Sequence, residues 1–169
     1  LKKPAPGYTV AGAENSKKQK SAPYEDVDTA HMLKRSSFWF MFIWAVLVSV
    51  AGLAVVFLGT PIAVAAIPAL NDAPSTLAII VGLVSIFNGV GRIIFGGMFD
   101  RIGYKPTLLI VCGMFIISMG IIILAMVTGS QLILIISYIV TGLSYGGVTP
   151  SQSAFINKFY GAKYYAVNL

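Results

Sequence analysis

"LIVCGMFIISMGIIILAMV", residues Leu109–Val127, contains no charged side chain and identifies the class of fold. An α-helix rises about 1.5 Å per residue, so about 20 apolar residues cross a bilayer's hydrocarbon core of about 30 Å. A strand of a membrane barrel would instead alternate apolar and polar residues over about ten positions, and this stretch shows no alternation. The stretch is therefore predicted to be a transmembrane helix.

Other apolar stretches of similar length accompany this one. The predicted spans are 38–60, 75–99, 106–128 and 131–150. Hydrophobic residues make up 57% of the 169-residue chain and charged residues only 11%, whereas charged residues approach about a quarter of a soluble domain. We therefore predict an all-α membrane protein with four transmembrane helices in this chain. "TGSQ" predicts a tight hairpin, and "PIAVAAIPALNDAPS" predicts a longer, proline-broken connection with room to extend the first helix.

The chain ahead of the first span, residues 1–37, is polar and has no sustained apolar period. We predict a cytoplasmic segment here, followed by the transmembrane part at 38–169. The stretch where this segment meets the first span, "DTAHMLKRSSFWF", predicts a short amphipathic helix at the membrane interface, with Asp28 or Thr29 as the N-cap. The side chains expected at headgroup level are Phe38, Trp39 and Phe40.

The basic residues are distributed asymmetrically along the chain. Every Lys and Arg except Arg92 lies in residues 1–37, in the connection after the second span, or after the fourth span. The positive-inside rule assigns that side to the cytoplasm, so both ends of this multi-pass chain are predicted to be cytoplasmic. The predicted location is the cell membrane. This topology explains the net charge of +6 better than nucleic-acid binding does.

The turn between the second and third spans reads "GGMFDRIGYKP", residues Gly96–Pro106. Gly96 and Gly97 allow close approach of another helix, and Gly103 can take the positive φ that ends a helix. Pro106 suits the first turn of the next helix. The sequence therefore predicts two helices joined by a very short cytoplasmic turn.

Asp100 gives this turn a candidate function. A carboxylate at a helix end can pair with Arg101 or Lys105, or accept hydrogen bonds from the amino-terminal amides of a neighbouring helix. Such a contact would form a breakable conformational latch on the inner face. The predicted latch residues are Gly96, Asp100, Arg101, Gly103 and Lys105.

The G-x-x-x-D-R-x-G-x-K pattern of this turn resembles the loop signature of the major facilitator superfamily. Three further stretches make the chain similar to the carboxy-terminal half of the oxalate/formate antiporter family. They are "MLKRSSFWF", "FNGVGRIIFGGMFDRIGYKPTL", and "GLSYGG" followed by "NKFYGAKYYAVNL". Tyr104 departs from the signature, which often has a basic residue there, and this departure predicts a weaker latch.

The resemblance implies a partial major-facilitator bundle in which the four spans are helices seven to ten of twelve. Residues 1–37 would then be the end of the central cytoplasmic loop, and a further helix would start near residue 163. The partners that it implies are a small organic anion, the lipid bilayer and the remaining helices of a full-length transporter. No nucleic acid is expected.

Arg92 is the one charged residue inside a predicted span. It precedes Asp100 by eight residues, which is about 12 Å along a helix. Burying a guanidinium at that depth is costly unless it faces water, an anion or a partner. Small or polar residues recur with it at alternating steps of three and four, namely Gly82, Ser85, Gly89 and Gly96. We expect this face to look inward.

Two interpretations of Arg92 stay open. In the first, the guanidinium is a fixed positive site that grips a substrate carboxylate in bidentate fashion. The resemblance supports this interpretation, because the antiporter family is thought to use a cation on helix eight for its anionic substrates. In the second, Arg92 is structural and snorkels towards the inner interface or bonds to backbone carbonyls.

Other candidate residues flank Arg92 or lie in the fourth span. Asn88 precedes Arg92 by one helical turn and can hydrogen-bond a ligand or another helix. Tyr145 is a candidate substrate contact through its hydroxyl. Gly142 and Gly146 form a G-x-x-x-G pair, which is typical of close helix packing.

The function that these features favour is secondary transport of a small mono- or dicarboxylate by alternating access, as an antiporter or coupled to protons. The alternatives are a porter for an uncharged or cationic solute, and a non-transporting scaffold or sensor with the same helices. The sequence contains no enzyme signature, metal-binding motif or cofactor motif, so we predict no catalysis and no cofactor. Cys112 is lone and is expected to serve as packing filler or to face lipid.

Overall fold

The computed structural model describes residues 26–169, which are almost entirely helical. In chain order they form α1 (Thr29–Met32), α2 (Ser36–Ala66), a 3-10 turn (Pro68–Asp72), α3 (Pro74–Ile102), α4 (Tyr104–Thr128), α5 (Gln131–Gly146), α6 (Val148–Tyr160) and α7 (Tyr165–Asn168). Most of the predicted cytoplasmic segment lies outside the described residues.

Four helical segments are long and apolar enough to cross a membrane: α2, α3, α4, and α5 with α6 taken together. Large apolar side chains such as Phe57, Ile93 and Val127 point outwards and are exposed on the bundle surface. Contiguous exposed apolar surface on this scale suits a lipid environment rather than water. The prediction of an all-α membrane protein with four transmembrane helices is confirmed.

The α2–α3 and α4–α5 connections contain no basic residue. They differ in length as their sequences predict. The α4–α5 link is a tight hairpin in which Gly129 takes a left-handed conformation, with φ of 63°, and its amide donates to the carbonyl of Ala125 at 2.9 Å. α2 instead continues through Pro61 to Ala66 before the 3-10 turn begins. Pro61 cannot donate a backbone hydrogen bond to the carbonyl of Phe57, one turn earlier, and transmembrane helices commonly tolerate such a proline.

The fourth segment extends further than its predicted end at residue 150. Its helix is interrupted at Gly147 and resumes as α6, which ends at Tyr160. Pro150 lies in the first turn of α6 and cannot donate to the carbonyl of Gly146, so the fourth segment lacks one helical hydrogen bond here. The proline therefore marks an interruption of the segment rather than its end.

α5 lies at the centre of the described bundle and packs along both α3 and α4. Tyr138 of α5 is fully buried, and its hydroxyl donates to the carbonyl oxygen of Gly59 in α2 at 2.5 Å. The buried hydroxyls of Ser137 and Thr141 donate to carbonyls one turn earlier in the same helix, each at 2.7 Å. Pairing within the helix lets these polar side chains occupy an apolar core without an unsatisfied donor.

One end of the bundle carries all the described basic residues except Arg92, and we call it the basic end: Lys34, Arg35, Arg101, Lys105, Lys158 and Lys163. Here hydrogen bonds join the residues before α1 to the end of α6 and to α7. The amide of Val27 donates to the carbonyl of Tyr160 at 3.0 Å, and the Asn168 side chain donates to the carbonyl of Val27 at 2.9 Å. These bonds fix the direction in which the chain enters the first span.

A helix of one turn, α1, lies within the stretch where an interfacial helix is predicted, and its cap differs from the expectation. Asp28 occupies the N-cap position without a side-chain bond to a backbone amide, and its carboxylate bonds the ring of His31 instead. This hydrogen bond lowers the pKa of the Asp28 carboxyl. Trp39 is exposed, and its indole N–H donates to the carbonyl of Leu33 at 2.9 Å. The aromatic side chains at the start of α2 therefore cover the turn from α1.

Candidate functional site

Arg92 lies within α3, and its side chain is exposed. Among residues 26–169 it makes neither a hydrogen bond nor an ion pair with another side chain. It is ten residues from the end of α3 at Ile102, about 15 Å along a helix. A guanidinium at that depth needs water, an anion or a group from elsewhere as its partner.

The small face on which Arg92 lies is not the face that packs against the other described helices. A Cβ atom placed on Gly82 or Gly89 would have no atom of the described chain within 4 Å, and one on Gly96 would have only the Pro150 side chain, at 3.8 Å. The buried residues of α3 lie on another face: Ile80, Val84, Gly91, Phe95 and Phe99. The small face therefore does not point into α2 or α4–α6, and any water-lined route beside it would have to be completed by other groups.

The orientation of Arg92 is fixed by close packing of α3 against α5. A Cβ on Gly146 would overlap the carbonyl oxygen of Asn88 and lie 3.0 Å from the amide nitrogen of Arg92. A Cβ on Gly91 would overlap the carbonyl oxygen of Leu143. The two backbones thus touch directly at the turn that carries Arg92, and glycine is required on both helices there.

Gly142 continues this contact one turn earlier on α5. A Cβ at this position would lie 2.5 Å from the carbonyl oxygen of Val84 and 3.0 Å from the Phe87 side chain. The G-x-x-x-G pair therefore lies in the α3–α5 contact. Gly97, for which the sequence predicts a close approach, would have no atom of the described chain within 4 Å of an added Cβ. Gly91 makes that approach instead.

Asn88 and Tyr145 occupy different surroundings. Asn88 is half-buried, and its backbone meets Gly146. Tyr145 is also half-buried, but its ring lies against α2, where a Cβ on Gly52 would overlap it. Within the described chain no hydrogen bond joins Tyr145 to Asn88 or Arg92. The structure thus brings Asn88 and Arg92 together on one turn of α3 and places the Tyr145 ring in a packing contact.

The interruption of the fourth segment is a feature that sequence reasoning missed. The amide of Gly147 bonds the carbonyl of Ser144 at 3.1 Å, and Pro150 cannot donate to the carbonyl of Gly146. One residue later, the Ser151 hydroxyl is buried and has no hydrogen-bond partner in the described chain. The sequence signal was "GGVTP", two glycines followed closely by a proline. Gly147 keeps right-handed helical dihedrals, with φ of −73° and ψ of −17°, so the interruption is a local tightening of the helix beside the Asn88–Arg92 turn.

The predicted latch residues lie at the α3–α4 turn of the basic end. Gly103 has φ of 85° and its amide donates to the carbonyl of Phe99 at 3.0 Å, so it ends α3 as the sequence predicts. The Thr107 hydroxyl donates to the carbonyl of Gly103 at 2.8 Å. These contacts make the turn between the two helices short and well defined.

The charged members of the predicted latch are not paired with each other. Asp100, Arg101 and Lys105 are all exposed. In the part of the chain that the structure describes, Asp100 forms no ion pair with Arg101 or Lys105. Asp100 would therefore pair only in another conformation, or with a residue from another part of the protein.

The described part of the chain does not bring together three His, Cys, Asp or Glu residues that could hold a metal ion.

Comparisons with known proteins agree with this architecture at the level of the family. No curated protein and no solved structure matches the chain significantly. The family model of the Major Facilitator Superfamily matches residues 4–168, nearly the whole chain. The four membrane-crossing helical segments of this chain and the short basic turn between α3 and α4 fit the same assignment. The chain belongs to the major facilitator superfamily of secondary transporters.

Proposed function

We propose that this chain is part of a transporter that moves a small organic anion, a mono- or dicarboxylate, across the cell membrane by alternating access. The basic end is cytoplasmic in this proposal. The observation that carries it is the exposed guanidinium of Arg92, which lies within a membrane-crossing helix and has no side-chain partner among residues 26–169.

The surroundings of Arg92 suit a carboxylate. Guanidinium presents its N–H donors in a planar fork that matches both carboxylate oxygens. Gly89 precedes Arg92 by nearly one turn, and its missing side chain leaves open space on the same face. A small planar anion could therefore approach the guanidinium without displacing a side chain.

The close contact of α3 with α5 supports the same location. Gly146 lies against the backbone of Asn88 and Arg92, so the turn that carries the guanidinium is held in place.

The distribution of carboxylates bears on coupling. The described acidic residues are Asp26, Asp28, Asp72 and Asp100, all near helix ends. None lies at membrane depth in the described chain, so a proton-carrying carboxylate would have to belong to other parts of the protein. Anion exchange needs no such group, and we propose antiport as the mode, with proton coupling as the alternative.

Transport by the full-length protein in proteoliposomes tests this proposal. We expect uptake of labelled oxalate or formate, stimulated by unlabelled carboxylate inside the vesicles. An uncharged solute and an organic cation of similar size should not be taken up. Uptake of either of those solutes without carboxylate uptake would favour a different porter with a structural Arg92. No uptake of any solute by a correctly folded protein would favour a scaffold or sensor.

A further inference from the structure

A groove at the basic end lies between α2, α4 and α6, away from Arg92. Its volume is about 340 Å³, and its walls include Phe40 and Trp44 of α2, Leu108 of α4, and Phe155 and Phe159 of α6. This volume is within the range of about 300–1,000 Å³ that is common for small-molecule sites. Phe40 is 76% exposed, so the groove is open at the bundle surface rather than enclosed. An apolar chain entering from the bilayer would meet mainly aromatic carbon.

Tyr104 links this apolar groove to positive charge. Its ring lines the groove and packs edge-on against Phe159, with centroids 5.0 Å apart and an interplanar angle of 88°. The ammonium nitrogens of Lys105 and Lys158 lie 5.9 and 5.7 Å from the centroid of the same ring. Two cations from different helices therefore lie close to the ring that forms one wall of the groove.

Carboxylates of the described chain do not neutralise these two lysines. Asp26 accepts the backbone amide of Lys163 at 3.1 Å, and Asp28 bonds His31. Asp100 makes no ion pair with Lys105 or Lys158 within residues 26–169. The groove therefore combines an apolar wall with positive charge that no carboxylate of residues 26–169 compensates.

We propose that this groove is a binding site for an anionic phospholipid. The acyl chain lies along Trp44, Leu108 and Phe155, and the phosphate is held by Lys105 and Lys158. Basic pockets between transmembrane helices near the cytoplasmic surface suit anionic headgroups, and aromatic rings at that depth suit the boundary between headgroup and hydrocarbon. This inference is independent of the solute that is transported.

Tryptophan quenching provides the test, because Trp44 forms part of the groove. The full-length protein is reconstituted with brominated phosphatidylglycerol or with brominated phosphatidylcholine of the same acyl chains, at equal mole fractions. We expect stronger quenching by the anionic lipid, and the Trp44→Phe variant should lose that extra quenching. Replacing Lys105 and Lys158 with glutamine should weaken the apparent preference about thirtyfold, since each basic residue contributes about 1 kcal/mol and about 1.4 kcal/mol is a factor of ten.

A matched variant separates a site from general attraction to a negative surface. Lys34 and Lys163 lie at the same basic end and are exposed, so replacing both with glutamine removes the same charge. The preference should survive that change and should survive Lys105→Arg with Lys158→Arg. Excess inorganic phosphate should not abolish it, because phosphate lacks the acyl chain. Equal quenching by the two lipids, or equal losses in the two glutamine variants, would overturn the proposal.

Discussion

Replacing Arg92 with glutamine is expected to abolish carboxylate uptake while leaving membrane insertion intact. Arg92 has no side-chain partner in the described chain, so its loss should not break an internal ion pair. A hydrogen bond to a charged group contributes about 1.5–3 kcal/mol, and about 1.4 kcal/mol corresponds to a factor of ten. Losing a bidentate contact should therefore weaken anion binding about 100-fold or more. Initial uptake rates over a range of substrate concentrations measure the effect.

Two further variants define what Arg92 contributes. Arg92→Lys keeps the charge but loses the planar fork, so we expect an intermediate defect, mainly in apparent affinity. Lys34→Gln removes a positive charge at the basic end, outside the predicted latch, and should leave apparent affinity for the substrate nearly unchanged. Unaltered uptake by Arg92→Gln would show that the guanidinium is structural.

Gly146→Val is expected to prevent correct packing of α3 against α5. Even the first added carbon would overlap the carbonyl oxygen of Asn88 and lie 2.9 Å from the Cα of Gly91. Because these neighbours are backbone atoms, the helices must separate along the contact. Overpacking of this kind costs typically about 1–3 kcal/mol, and the backbone clash places this variant at the upper end of that range. Thermal stability and the yield of monodisperse full-length protein in detergent measure the loss.

Gly120→Val is the matched control for this variant. Gly120 is an exposed residue of α4, and a Cβ there would meet no described atom within 4 Å. The substitution adds the same side chain to a transmembrane helix without a clash, so melting temperature and yield should stay close to those of the parent. Indistinguishable stability of the two variants would contradict the close α3–α5 contact.

The sequence predicts the helical layout well because each span and turn carries its own local signal. The hairpin at Gly129 and the end of α3 at Gly103 follow from glycines between long apolar runs, and both adopt positive φ. The lipid-crossing segments follow from length and hydropathy alone. None of these features depends on which helix lies next to which.

The packing of α3 could not be predicted in the same way. Its glycines occur on more than one face, and periodicity identifies Gly82, Gly89 and Gly96 as one face without showing which face meets a neighbour. The structure selects Gly91, because Gly142 and Gly146 of α5 pack against Val84, Asn88 and Gly91. That choice depends on tertiary contacts, which are nonlocal in the sequence.

Pro150 shows a second limit of local reasoning. The fourth span is predicted to end at this residue. The structure instead interrupts the helix at Gly147 and places the proline in the first turn of α6. The same residue type is favourable at the start of a helix and unfavourable in its interior. Whether Pro150 lies at a helix start or in a helix interior depends on the interruption at Gly147.

Cysteine accessibility beside Arg92 tests the central claim most directly. Gly89→Cys is introduced into full-length protein whose other cysteines, including Cys112, are replaced, and Arg92 is retained. Gly89 is exposed with no described atom within 4 Å of a Cβ, so the new side chain should fit. We predict labelling by a membrane-impermeant thiol reagent, slowed by oxalate unless Arg92 is also replaced with glutamine. Gly120→Cys, at an exposed position of α4 that we expect to face lipid, should resist the reagent. If Gly89→Cys resists labelling as well, or is labelled at a rate that oxalate does not change, the proposal of a solvated anion site at Arg92 is contradicted.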